Sequence, residues 1–363
     1  MASIDQSFTL RCGLEVPQRI AMAPLTNTQS EPDGTLGEQE LRWLVRRARD
    51  GFRWISTCAA FVSEEGHAWR GQLGISNDAQ LPGLRRLASA LRDHGAAAVV
   101  QLHHGGAKAD LAPDRRLSTA DGGPQDSRGA SEADIHRVIE DFVAAAQRAE
   151  QAGFAGVEIH GANGYLFTQF LAPEDNPRTD AYGGDLPGRA RFLRQTLQAV
   201  RTSVSPGFAV GVRISPVDVW SRRGLVLADG VQVGQWLADD GADFVHLSLM
   251  DASGPAPHEP DAGLVARAFR DALPGDVPIF AAGGIWTRED AQRATEAGVD
   301  VVVLGRAAIA HPDWPSASAD ANFQPARPTW SRKHMQEVDV GDRLLEYLGG
   351  FPGMLEGGAP PRG

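Results

Sequence analysis

The chain has 363 residues, of which 42% are hydrophobic and 22% charged, so a sizeable core is available and a wholly disordered chain is excluded. Thirty-five basic against 46 acidic side chains give a formal net charge of −11, which argues against a broad nucleic-acid surface built on clustered Lys and Arg. Cys12 and Cys58, the two cysteines, make neither a disulfide framework nor a four-thiolate metal cluster, and no metal is expected. The start, MASIDQSFTLRCG, lacks the apolar segment of a signal peptide, and no run of about 18 apolar residues offers a membrane span. A soluble cytoplasmic protein is the expectation.

Residues 19–24 (RIAMAP) read as a short buried strand ended by proline. Residues 37–50 carry Leu41, Leu44 and Val45 at helical spacing, and 52–56 read as a second strand. Residues 81–94 are helical, with Leu84, Leu87, Ala88 and Leu91 on one stripe. The apolar run 97–102 (AAVVQL) fits a strand covered on both faces. Helix 134–152 then leads to strand 154–159, helix 189–204 to strand 208–214, and helix 230–239 to strand 244–249. The last two pairs are helix 262–272 with strand 277–281 and helix 288–297 with strand 299–304.

Right-handed parallel connections leave a doubly wound sheet or a closed barrel. Eight strands favour closure, so the sequence predicts an α/β fold with an eight-stranded (β/α)8 TIM barrel in a single domain, 1–348. The glycine- and proline-rich stretch 349–363 is expected to be a flexible tail. Two long polar connections, 112–130 and 172–187, follow the third and fourth strands, where a barrel carries its active-site loops.

Chemistry-bearing residues gather at strand ends. The fourth strand runs into His160, Asn163 and Tyr165. An imidazole and a carboxamide can both donate to one polarised oxygen, and a phenol beside them can deliver a proton. The same residues also describe a polar turn with a capping Asn and a half-buried Tyr. Gln101 and His103 fall on one side of the third strand by alternation, and a glutamine suits a heterocycle with adjacent N–H and C=O groups. Arg213 ends the fifth strand, where a guanidinium can stabilise an anionic ring or carboxylate. On the first strand, Pro24 is followed by Leu25 and the Thr26 hydroxyl, able to bond a planar ligand. Gly283 and Gly284 follow the seventh strand, and Gly305 and Arg306 the eighth. Barrels often bind phosphate at this pair of loops. No GxGxxG or GxxxxGK[ST] motif sits in a suitable strand context, which disfavours a dedicated Rossmann domain.

These segments resemble the old yellow enzyme family of FMN-dependent ene-reductases. The matching pieces are RIAMAPLT at 19–26, QLHHGG at 101–106, GFAGVEIHGANGYLFTQFLAPEDNPRTDAYGG at 153–184, GVRISP at 211–216, AAGGI at 281–285 and VLGRA at 303–307. The resemblance implies FMN in the barrel, NADH or NADPH as reductant, a small activated alkene as substrate, and a homo-oligomer. It assigns Pro24, Leu25, Thr26, Ala59, Gln101 and Arg213 to the flavin ring. Gly283, Gly284, Gly305 and Arg306 are assigned to its phosphate. His160 and Asn163 match the pair that binds the substrate's activating oxygen, and Tyr165 matches the proton donor. The implied acceptors are enones, enals, maleimides or nitroalkenes, with nitroester or nitroaromatic reduction, or non-catalytic flavin binding, as alternatives.

Three departures stand out. The arginine expected near Gly106 is absent from HHGGAK. The second strand ends in TCAAF without the usual acidic residue, and Phe61 is expected to narrow the pocket. Arg332 or Arg343 is a candidate for a neighbouring subunit's site.

Overall fold

A computed structural model describes residues 3–219 and 222–359. Eight parallel strands close into one barrel, paired in chain order around the ring: β1 (Ile20–Met22), β2 (Trp54–Phe61), β3 (Ala97–His103), β4 (Gly156–Gly161), β5 (Ala209–Ile214), β6 (Phe244–Ser248), β7 (Ile279–Ala282) and β8 (Val301–Leu304). Val302 pairs with Ile20, so β8 returns to β1 and the barrel sheet closes on itself. Seven helices cross between consecutive strands: α1 (Glu38–Arg49), α2 (Leu81–Asp93), α3 (Glu132–Ala152), α4 (Leu186–Ser203), α5 (Leu227–Asp239), α6 (Val265–Ala272) and α7 (Arg288–Glu296). Each buries a stripe against the ring; in α2 the stripe is Leu84, Leu87, Ala88 and Leu91, as their spacing requires.

Alternation decides what fills the barrel. Inward-facing Trp54, Phe244 and Phe280, from the first or second residue of three strands, pack ring against ring at 4.7–5.2 Å between centroids. Phe8, from the two-stranded hairpin Phe8–Thr9 with Glu15–Val16, meets Phe280 at 5.9 Å and closes that end. Gly211 is required here, because a Cβ on it would lie 2.2 Å from the Phe244 ring. One pleat further along, the inward residues become Gln101, Glu158 and His246, all buried. The barrel therefore has an apolar floor and a polar layer above it, at the strand C-terminal end.

The structure differs from the sequence reading at ends and connections. β2 runs on to Phe61 because its register shifts between Ser56 and Ala59 and pairing then resumes. The Thr57 hydroxyl accepts the Gln101 N–H at this irregularity, 3.3 Å away. The long connection after β3 contains Leu117–Ser118 paired with Arg128–Gly129, and Arg178 from the second connection donates to the Thr119 and Ala130 carbonyls. These loops are packed structure. The expected tail also packs as far as residue 359: Leu355 is 3% exposed, and Glu356 and Met354 exchange backbone bonds with Trp330. Residues 360–363 lie outside the described residues.

Candidate active site

β4 carries His160 one residue before its end at Gly161, and the next turn carries Asn163 and Tyr165. Asn163 takes φ +59, in the left-handed region, and Gly164 follows at φ +73. Asn tolerates that conformation better than most side chains, which explains a tight reversal of this sequence. Tyr165 then precedes the short helix Leu166–Leu171. Gln169 in that helix pins the turn to the connection after β3: its Oε1 accepts from the Ala107 N–H and the Ser118 hydroxyl, and its Nε2 donates to the Gly164 carbonyl.

The rings of His160, His103 and Tyr165 meet edge to face, with centroids 5.1 Å (His103–His160), 4.4 Å (His103–Tyr165) and 5.2 Å (His160–Tyr165) apart. Trp69 flanks His103 at 5.5 Å and Tyr165 at 6.4 Å. Burial, reinforced by the Arg213 charge, pushes His160 down to about 3, so its imidazole is neutral. Its Nδ1 accepts the Ala162 N–H at 3.3 Å, which places the ring proton on Nε2 and makes that atom a donor. Burial pushes the Tyr165 phenol up to about 12, with the neighbouring Tyr347 adding to the effect, so the hydroxyl stays protonated.

Asn163 is joined to a different set of groups. Its Oδ1 accepts from the Ser248 hydroxyl at 3.0 Å, and Ser248 accepts from Arg213 at 3.0 Å. This chain links the ends of β4, β5 and β6 and leaves the Asn163 Nδ2 as a donor. Arg213 is 9% exposed, and its Nε has no partner among the described residues.

Beneath lies a buried network. Glu158 accepts from Gln101 Nε2 at 2.6 Å and from His246 Nδ1 at 2.8 Å. Burial opposes its charge, but His246, Arg213 and the Gln101 bond outweigh it and hold the carboxyl below its ordinary range. Burial also holds His246 below its ordinary value; with Nδ1–H given to Glu158, its buried Nε2 is an acceptor with no partner among the described residues. Glu158 and His246 were not singled out in the sequence. The available signal was a carboxylate inside an otherwise apolar strand.

The remaining predicted residues ring the same opening. Pro24 is buried and Leu25 and Thr26 are half-buried just past β1. Ala59 is 6% exposed and pairs in register with Gln101. Past β7, Gly284 takes φ +68, and a Cβ on Gly283 would lie 2.8 Å from the Leu249 carbonyl oxygen. Past β8, Gly305 precedes a short helix, Arg306–Ala310. The exposed Arg306 lies over the Trp286 ring at 5.6 Å, and Arg327 lies over the same ring at 5.2 Å.

His103 and His104 diverge, the first among the aromatic rings of the mouth, the second buried against Gly66. Phe61 does not narrow the mouth: its ring packs on His67 and against Gly34 and Gly74. The place after Gly106, where an arginine was expected, holds buried Ala107, and Lys108 reaches the mouth instead, 4.8 Å over the Tyr165 ring. Arg332 opens the short helix Arg332–Glu337, and Arg343 donates to the Ser30 carbonyl and to Glu31 while its side chain stays partly exposed. Its helix, α8 (Asp342–Gly349), brings Tyr347 to the Thr26 hydroxyl, a neighbour that no local motif announces.

Comparison with known proteins places the chain in a family. The family model for the NADH:flavin oxidoreductase / NADH oxidase family matches residues 9–321. The probable NADH-dependent flavin oxidoreductase YqiG of Bacillus subtilis is 36% identical over 320 residues, covering 85% of this chain and 86% of that protein. The NADPH dehydrogenase of Bacillus cytotoxicus is 32% identical over 336 residues, covering 86% and 91%. An NADH:fumarate oxidoreductase of Klebsiella pneumoniae is 33% identical over 334 residues, and this chain spans only 35% of its length. Morphinone reductase in complex with tetrahydroNAD superposes with a TM-score of 0.77 at 25% identity, over 92% of this chain and 94% of that one. The chain belongs to the NADH:flavin oxidoreductase / NADH oxidase family, that of the old yellow enzymes, and is an NAD(P)H-dependent flavin oxidoreductase with FMN as cofactor.

Proposed function

We propose that this enzyme saturates the C=C bond of activated alkenes such as enones, enals, maleimides or nitroalkenes. The observation that carries the reading is the pairing of a neutral His160 with a protonated Tyr165, rings 5.2 Å apart, at the end of β4. His160 Nε2–H and the Asn163 Nδ2 hydrogens are donors for the substrate's carbonyl or nitro oxygen, where negative charge develops. Tyr165 delivers the proton to the α carbon.

The residues suit FMN. Pro24, Leu25, Thr26 and Ala59 would line the ring, while Gln101 and Arg213 would face its pyrimidine side. The orphaned Arg213 Nε is a buried donor in need of an acceptor there. Gly283, Gly284, Gly305 and Arg306 would hold the phosphate, because close backbone approach past β7 leaves no room for a side chain. Bound FMN supplies the hydride; the protein supplies alignment and electrostatics.

The test is an anaerobic two-stage experiment on the purified flavoprotein. NADH or NADPH should bleach the flavin, and an enone, maleimide or nitroalkene should restore its colour with formation of the saturated product. A flavin that bleaches but is reoxidised by none of the three overturns the reading. Nitrite release or nitro-group reduction in place of C=C saturation reassigns the acceptor.

A further inference from the structure

Against the trio lies a cavity of about 420 Å³, lined among others by Lys108, Asn163, Ser215, Asp218, Arg223 and Ser248. Asn163 and Ser248 thus face this cavity from the ends of β4 and β6. Its charges are already committed, with one exception. Arg223 is paired with Asp175. The Asp218 carboxylate accepts the backbone N–H groups of Arg223, Gly224 and Leu225. Lys108 has no carboxylate within 4.0 Å among the described residues, and Asp175, the acid whose field reaches it, is taken by Arg223.

The ammonium is nonetheless held in a defined place. Gly106 takes φ +60, and a Cβ there would lie 2.7 Å from Gln169 Oε1, so the one-turn helix Gly106–Lys108 is clamped against the active-site turn. Lys108 Nζ donates to the Asn163 carbonyl at 2.8 Å and sits 4.8 Å over the Tyr165 ring. One of its three hydrogens is thereby used, leaving two for a ligand. Burial lowers its pKa, and the Arg223 charge adds to that while Asp175 opposes it.

We infer that Lys108 and this cavity form an anion subsite that receives a carboxylate carried by the alkene substrate. Carboxylate-bearing enones are then the preferred substrate class, with the activating oxygen at His160 and Asn163 and the carboxylate at Lys108. The inference rests on the alkene-reductase reading but fails independently of it.

A matched pair that differs only in charge tests it: β-acetylacrylate and its methyl ester as substrates, with levulinate and methyl levulinate as saturated ligands read by their effect on the bound-flavin spectrum. In the wild type the acid should be favoured over the ester in both kcat/KM and binding, and added salt should weaken levulinate but not its ester. Lys108→Met should reduce the acid-to-ester ratio by about 10- to 100-fold in both measurements, the range expected for a charged hydrogen bond. Lys108→Arg should retain most of it. An unchanged ratio in Lys108→Met, or salt-independent levulinate binding to the wild type, overturns the subsite. If neither alkene is reduced while levulinate binding follows the expected pattern, the alkene-reductase reading fails and the anion subsite stands.

Discussion

Tyr165 keeps its proton because burial leaves the phenolate without solvation, and it gives that proton up only when a stronger base forms beside it. A carbon gaining negative charge within reach is such a base. Tyr165→Phe should therefore slow alkene reduction by roughly 10²-fold, the lower range for loss of a positioned acid. Flavin reduction by NAD(P)H, which needs no proton from this group, should change far less; stopped-flow traces slowing both half-reactions equally would remove the assignment. Gly283 acts by what it lacks. In Gly283→Ala the new methyl meets backbone atoms, the Leu249 oxygen at 2.8 Å and the Ala252 nitrogen at 3.0 Å, so the loop itself must shift. Overpacking of this kind costs about 1–3 kcal/mol. Gel filtration should also show FMN leaving the variant more readily, and full flavin retention would argue against a phosphate cradle there. The trio was legible in the sequence because the end of one strand and the turn after it carry all three residues. Tyr347 was not, since its meeting with Thr26 depends on how α8 docks, which no local pattern encodes.

At the scale of strands, Glu158 binds three together: its own β4, β3 through Gln101, and β6 through His246. Glu158→Ala orphans two buried donors at once, and each unsatisfied donor costs about 1–3 kcal/mol. Glu158→Gln keeps one acceptor oxygen and should recover part of that loss. Urea unfolding of the two variants separates the contributions; an alanine variant within about 0.5 kcal/mol of wild type would show that these strands do not depend on the network. The strands themselves were readable because a parallel strand covered on both faces shows as an apolar run, as in Val301–Leu304. The end of β2 was less so. Its register shift hides the continuation past Ser56, and the hydroxyl that patches the gap belongs to an unremarkable threonine.

Closing the ring also commits the molecule to burying neutral imidazoles. Desolvation holds His103 well below 6.5, His104 at about 4, His160 at about 3, and His246 below its ordinary value. Between those folded values and the unfolded value of about 6.5, the unfolded chain takes up protons that the folded barrel refuses. Acidification through this window thus favours unfolding, by up to about 1.4 kcal/mol per pH unit for each such group. Asp141, raised to about 6 by burial, and Glu40, also raised by burial, act in the opposite sense, gaining stability as they protonate in the folded state. A difference measurement removes that compensation. His104 lies outside the mouth and its Nδ1 accepts the Gly106 N–H, a role that an asparagine oxygen can fill. His104→Asn should flatten the dependence of unfolding free energy on pH by about one proton between pH ~6.5 and ~4, leaving the curve above that window parallel to wild type. Parallel curves across the whole range would mean that His104 is protonated in the folded barrel, and that its burial carries no pH-dependent cost.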